Sequence, residues 1–155
     1  VINYLNKEIS AFIIDSLGLA MNEQTSANFA AYLRISRDME RIGDHSKNIA
    51  EVAKLKEDQS LAFTDKTFEE LKEINEVIEK MFSSALGEID RDERISFMRE
   101  SNELVQKDAT QFRNNHMLRM REKICDPESG LLYEKTLAAM ERISSYISNA
   151  GKLAI

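Results

Sequence analysis

The run DMERIGDHSKNIA, Asp38 to Ala50, returns in partial form as AMERISSYISNAG, Ala139 to Gly151. Aligning Glu40 with Glu141 also brings Tyr32 onto Tyr133, Met39 onto Met140, Arg41 onto Arg142, Ile42 onto Ile143, Asn48 onto Asn149 and Ala53 onto Ala154. An internal repeat of this kind restricts the chain to two related units that bury their apolar faces together. The first copy carries Glu40 and Asp44 four residues apart. On a helix both carboxylates then point the same way, one turn apart, and can share a cation. The second copy keeps Glu141 but has Ser145 at the aspartate position, so one half retains a chemistry that the other has lost.

A length of 155 residues suits one compact domain, or two small similar halves sharing a core. With five glycines, one proline and abundant Glu, Lys, Leu, Met and Ala, the chain reads as all-α. The formal charge of -6 excludes a general nucleic-acid binder, which needs a basic stripe. A single cysteine, Cys125, excludes an internal disulfide and a cysteine-rich metal centre. No apolar stretch approaches the length that crosses a bilayer, and the N-terminus lacks a signal-peptide pattern. The chain nevertheless opens on Val1 directly inside a helical pattern, as expected of a piece of something longer, and a membrane domain is one candidate for the remainder.

Apolar spacing gives five helices. Ile2, Leu5, Ile9, Phe12, Ile13 and Leu17 define the first, expected to end near Met21. Asn22 or Thr25 starts the second, running from about Glu23 through Lys56 with Ile35, Met39, Ile42, Ile49 and Ala53 as its stripe. The stretch KEDQSLAFT links the halves. Thr64 caps a third helix whose apolar positions include Phe68, Leu71, Ile74, Ile78 and Met81 and which stops at Gly87. A long fourth helix follows the seam Ile95, Met98, Asn102, Val105, Ala109, Phe112, His116 to about Ile124. Pro127 and Gly130 break the chain, and a fifth helix starts at Leu131. Residues 1–57 thus form a first repeat short of its opening helix, and 58–155 a second.

Several side chains invite chemistry. His45 follows Asp44 directly and so points about 100° away from it, which favours a structural hydrogen bond over a ligand role. His116 sits on an apolar seam and reads as a buried histidine with a polar partner, and Asn102 as a buried polar residue that fixes helix register. Cys125 follows a helix C-terminus, where nothing activates it. Gly43 implies close approach of a neighbouring helix or of a bound ion. Neither histidine has a glutamate three residues before it, which excludes the di-metal oxidase pattern, and no glycine-rich phosphate cradle or Ser-His-Asp arrangement is present. On the residues alone, a solvated face explains Glu40 and Asp44 as well as a metal does.

ERIGDHSKNIAE resembles the signature of PhoU-like domains, whose three-helix units carry a Glu/Asp-x-x-x-Asp metal motif on the third helix. TDKTFEEL and RNNHMLRMREKICDPESGLLYEKTLAAMERI, with Arg113, His116, Arg119, Cys125 and Gly130, look like the cytosolic PhoU-like domain that follows the membrane part of bacterial sodium/phosphate cotransporters. The pattern departs at Ser144, Ser145 and Tyr146. The resemblance implies a PhoU-like helical bundle that regulates phosphate uptake and is not an enzyme. It further implies a divalent, iron or zinc ion at Glu40 and Asp44, completed by other ligands. The implied partner is the membrane domain of its own transporter or a signalling protein, at the cytoplasmic face of the inner membrane. The alternatives are a stand-alone PhoU regulator of an ATP-driven importer and a metal-dependent bundle enzyme. A homodimer that covers Phe12, Phe29 and Leu33 is a further expectation.

Overall fold

The computed structural model describes residues 1–16 and 22–154, and among these the only regular secondary structure is five α-helices. They are α1 (Ile2–Ser16), α2 (Glu23–Asp58), α3 (Asp65–Leu86), α4 (Arg91–Arg121) and α5 (Pro127–Leu153). The expected end of the first helix at Met21 lies outside the described residues.

The helix starts follow local chemistry. The Asn22 side chain accepts from the Thr25 amide at 2.8 Å, so Asn22 rather than Thr25 caps α2. Thr64 caps α3 by accepting from Thr67, and Asp90 caps α4 by accepting from Asp92 and Glu93. The largest departure from expectation is at α5. Asp126 accepts from the Ser129 amide at 2.9 Å, Pro127 opens the first turn, and Gly130 lies inside the helix rather than in a loop before it. Proline suits that position because the amide it lacks has no intrahelical partner there. The fourth helix correspondingly stops at Arg121, short of Ile124.

α5 is the centre of the molecule and packs against α2, α3 and α4, whereas α1 packs on α2 alone. The core joins Ile74, Ile78 and Met81 of α3, Met98, Val105, Ala109 and Phe112 of α4, and Tyr133, Leu137, Met140, Ile143 and Ile147 of α5, with Ile42 added from α2. Burying apolar surface at roughly 25 cal/mol per Å² makes this three-helix cluster the main source of stability. The α2 stripe behaves differently. Ile42 is buried and Ile49 borders the core, but Met39 is 40% exposed, because among the described residues no third helix covers that side of the α1–α2 hairpin. Phe68 of α3 is also exposed; the buried face is rotated onto Thr67, Glu70, Ile74, Ile78 and Met81.

The seam between α2 and α5 joins residues that the sequence repeat equates. His45 stacks on Tyr146 with ring centroids 5.8 Å apart and planes 22° apart. These two residues share the offset that aligns Glu40 with Glu141. On one side of the stack Asn48, Glu51 and Val52 face Lys135, Ala138 and Ala139 across a cleft. On the other side their repeat counterparts Asn149, Lys152 and Leu153 face Arg34, Arg37 and Asp38. Residues meeting their own counterparts, flanked by interchanged pairs, is the contact pattern of a local twofold axis. The stack, and not a hydrogen bond, is what occupies His45.

Candidate functional site

Glu40 and Asp44 lie one turn apart on α2, as their spacing requires. Glu40 is half-buried and accepts from Asn6 Nδ2 of α1 at 2.5 Å, while Ser36 donates to Asn6 Oδ1 at 2.8 Å. Asp44 is exposed, and among the described residues neither carboxylate forms an ion pair. Gly43 between them faces α1: a Cβ there would meet Ile2 Cδ1 at 2.8 Å. Gly43 thus lies under the Ile2 side chain of α1, with no backbone atom of α1 among its near neighbours.

The second copy shows what the fold does with the same glutamate when a cation is built in. Glu141 accepts from both terminal nitrogens of Arg113, whose Nε donates to Glu134 at 2.6 Å. These carboxylates push the Arg113 guanidinium further into its charged form. Ser145, at the aspartate position, hydrogen-bonds Asn102, as does Ser144 at 2.8 Å. Asn102, expected to be buried, is half-buried, and its side-chain oxygen accepts from both serines of α5.

The two copies can be brought into register through α1 and α4. Ile2 abuts Gly43 as Asn102 bonds Ser144, and Asn6 reaches Glu40 as Gln106 reaches the Glu141 carbonyl. In that register Ile13 corresponds to Arg113. The first unit therefore has two carboxylates and an apolar residue where the second has one carboxylate, a serine and an arginine. Two side chains and Asn6 are too few for a closed transition-metal site, and among the described residues no cluster of three or more His, Cys, Asp or Glu exists. Asn6 is moreover already engaged, its amide donating to Glu40 and its oxygen accepting from Ser36, so the two carboxylates are the acidic groups present for the expected ion.

A second polar assembly escaped sequence reading. Glu70 of α3, with no solvent exposure, accepts from Arg119 at 2.9 and 2.7 Å and from the Tyr133 hydroxyl at 2.6 Å. Burial alone would raise the Glu70 pKa, but the hydrogen bonds from Arg119 and Tyr133 prevail and hold it below the ordinary range. Burial, then the bond to Glu70, pushes the Tyr133 phenol up. His116 tilts against the Tyr133 ring at 4.8 Å. The expected polar partner for His116 is not found among the described residues, where neither ring nitrogen has one, and burial followed by the Arg119 charge lowers its pKa. Glu70 was legible in principle, since it sits four residues before Ile74 on the buried stripe.

Residues 1–53 match the PhoU domain family. The PhoU match covers α1 and most of α2, and so contains Asn6, Gly43 and the Glu40–Asp44 pair. No curated protein and no solved structure matches the chain. Among the described residues no helix is long and apolar enough to cross a membrane.

Proposed function

We propose that the chain is a non-enzymatic regulatory bundle of phosphate uptake, the cytosolic PhoU-like part of a sodium-dependent phosphate cotransporter. The observation that carries this reading is the PhoU match over residues 1–53, which includes Glu40 and Asp44, carboxylates that form no ion pair among the described residues. The bundle is built from two related units, 1–57 and 58–155, meeting along α2 and α5. Of these, the second is closed by its own Arg113 and α3, and the first is the one that engages a partner. Glu40 and Asp44 would hold a divalent cation, iron or zinc included, which there neutralises charge and bridges α2 to a ligand on the membrane part. The bundle acts at the cytoplasmic face of the inner membrane by docking and biasing transport.

The test is radiolabelled phosphate uptake in host cells whose gene for this protein lacks the segment encoding residues 1–155. A changed dependence of sodium-driven uptake on external phosphate is expected. Uptake that is unchanged at every sodium and phosphate concentration would overturn the reading. A change confined to sodium-independent, ATP-driven uptake would instead select the stand-alone PhoU regulator.

A further inference from the structure

Arg34 and Arg37 lie three residues apart on α2, and Asn149 and Lys152 three apart on α5, so each pair projects from one face of its helix. The two faces meet across a cleft of about 500 Å³ on the Asn149 side of the His45–Tyr146 stack, lined also by Asp38 and Leu153. Three cations thus share a small space with one carboxylate, in a chain whose formal charge is -6. Among the described residues none of the three forms an ion pair, and neither does Asp38, which is half-buried beside Arg37. Like charges held together in this way repel one another, and a bound anion removes the repulsion. The local twofold axis supplies an internal control. In the opposite cleft Ala138 stands at the Arg37 position and Glu51 at the Lys152 position, leaving Lys135 and Arg142 as its arginine and lysine side chains. The two clefts share a framework, and the one between Arg37 and Lys152 has gained positive charge.

We infer that this cleft binds a phosphate-type oxyanion between the Arg34 and Arg37 guanidiniums and the Lys152 ammonium, with the Asn149 amide as a neutral donor. Guanidinium forks match the paired oxygens of a phosphoryl group, and an ammonium acts as a point charge beside them. Three cations less the Asp38 carboxylate leave two positive charges in the lining, which a dianion balances. A halide or a simple carboxylate balances only one. The cleft is roomier than a bare ion requires, so the same phosphoryl chemistry is available from free orthophosphate or from a small phosphate monoester. The site stands on charge and on the twofold comparison, independently of the transport role, and its failure would leave that role untouched.

The test is an NMR titration of the isotope-labelled 155-residue chain with sodium orthophosphate and, separately, with glycerol phosphate, ionic strength being held constant with sodium chloride. Saturable amide shifts are expected around Arg34–Asp38 of α2 and Asn149–Lys152 of α5 in at least one titration, and the tighter of the two identifies the source as the inorganic ion or the monoester. Arg37→Ala and Lys152→Glu, the latter installing the residue of the opposite cleft, should each weaken binding about tenfold or more. Asp38→Asn should strengthen it, and Lys135→Ala in the opposite cleft should leave it unchanged. Arg37 is exposed, so its truncation leaves the core intact and keeps the test decisive if another variant loosens the fold. No saturable shift with either probe would overturn the site. So would shifts that chloride alone reproduces, shifts centred on Lys135 and Arg142, or binding that survives both Arg37→Ala and Lys152→Glu.

Discussion

Glu70 shows how much a single carboxylate can organise, since it links α3 to Arg119 of α4 and Tyr133 of α5 without touching solvent. Glu70→Ala leaves a largely buried guanidinium unpaired and is expected to cost about 3–5 kcal/mol in urea unfolding; a loss below about 1 kcal/mol would contradict this account of the cluster. Two glycines offer a sharper contrast. At Gly130 an added Cβ meets His116 Nε2 at 2.7 Å and Met120 Sδ at 2.9 Å, and the His116 ring is wedged against Tyr133. Gly130→Ala should therefore destabilise by about 1–3 kcal/mol. At Gly43 the contact is the tip of Ile2, an exposed side chain at the start of α1 that can swing away. Gly43→Ala should be close to neutral, because helix propensity gains up to about 1 kcal/mol against that adjustment. Thermal melts of the pair distinguish the two; equal losses would not fit. Sequence placed Glu40, Asp44, Asn102 and His116 on their correct helices, because spacing fixes direction along a helix. It did not find Glu70, which stands in the charged run EELKE and reads as solvent-facing until the buried stripe is rotated by one residue.

At the scale of elements, the caps decide where the helices begin. Asp126→Ala should cost about 1 kcal/mol, and because α5 contacts α2, α3 and α4 the loss should appear as lower global stability rather than as local fraying. Matching denaturant midpoints followed by helix signal and by tyrosine fluorescence would verify that; a loss seen only in the helix signal would speak against it. The five helices and their order were legible because apolar periodicity and capping residues are local signals. α5 starts earlier than Pro127 and Gly130 suggest as breakers, because their effect depends on position: proline is favourable in a first turn, and Gly130 makes room for His116. What periodicity cannot carry is which apolar face has a partner. Met39 and Phe12 follow the same spacing as Met140 and Phe112, and only the packing of α3 separates exposed from buried.

The whole molecule is an asymmetric pair, and its response to pH reflects the closed half. His116 has a folded pKa below its ordinary value of about 6.5. Below that pH the unfolded chain binds a proton that the folded chain resists, so stability should fall as pH drops from 7 towards 5. His45, lowered by partial burial and by Arg142, contributes with the same sign. His116→Leu should flatten the dependence of the unfolding free energy on pH, and an unchanged slope would remove His116 from the explanation. The central structural claim is that α3 closes one unit of a repeated pair and leaves the α1–α2 groove of the other open. Residue-resolved native-state hydrogen exchange on the whole chain addresses it most directly. Amides of α1 and of α2 before Ser36 should exchange through local opening, while α3, α5 and the part of α2 against α5 exchange only with global unfolding. Uniform protection from α1 to α5 would contradict it.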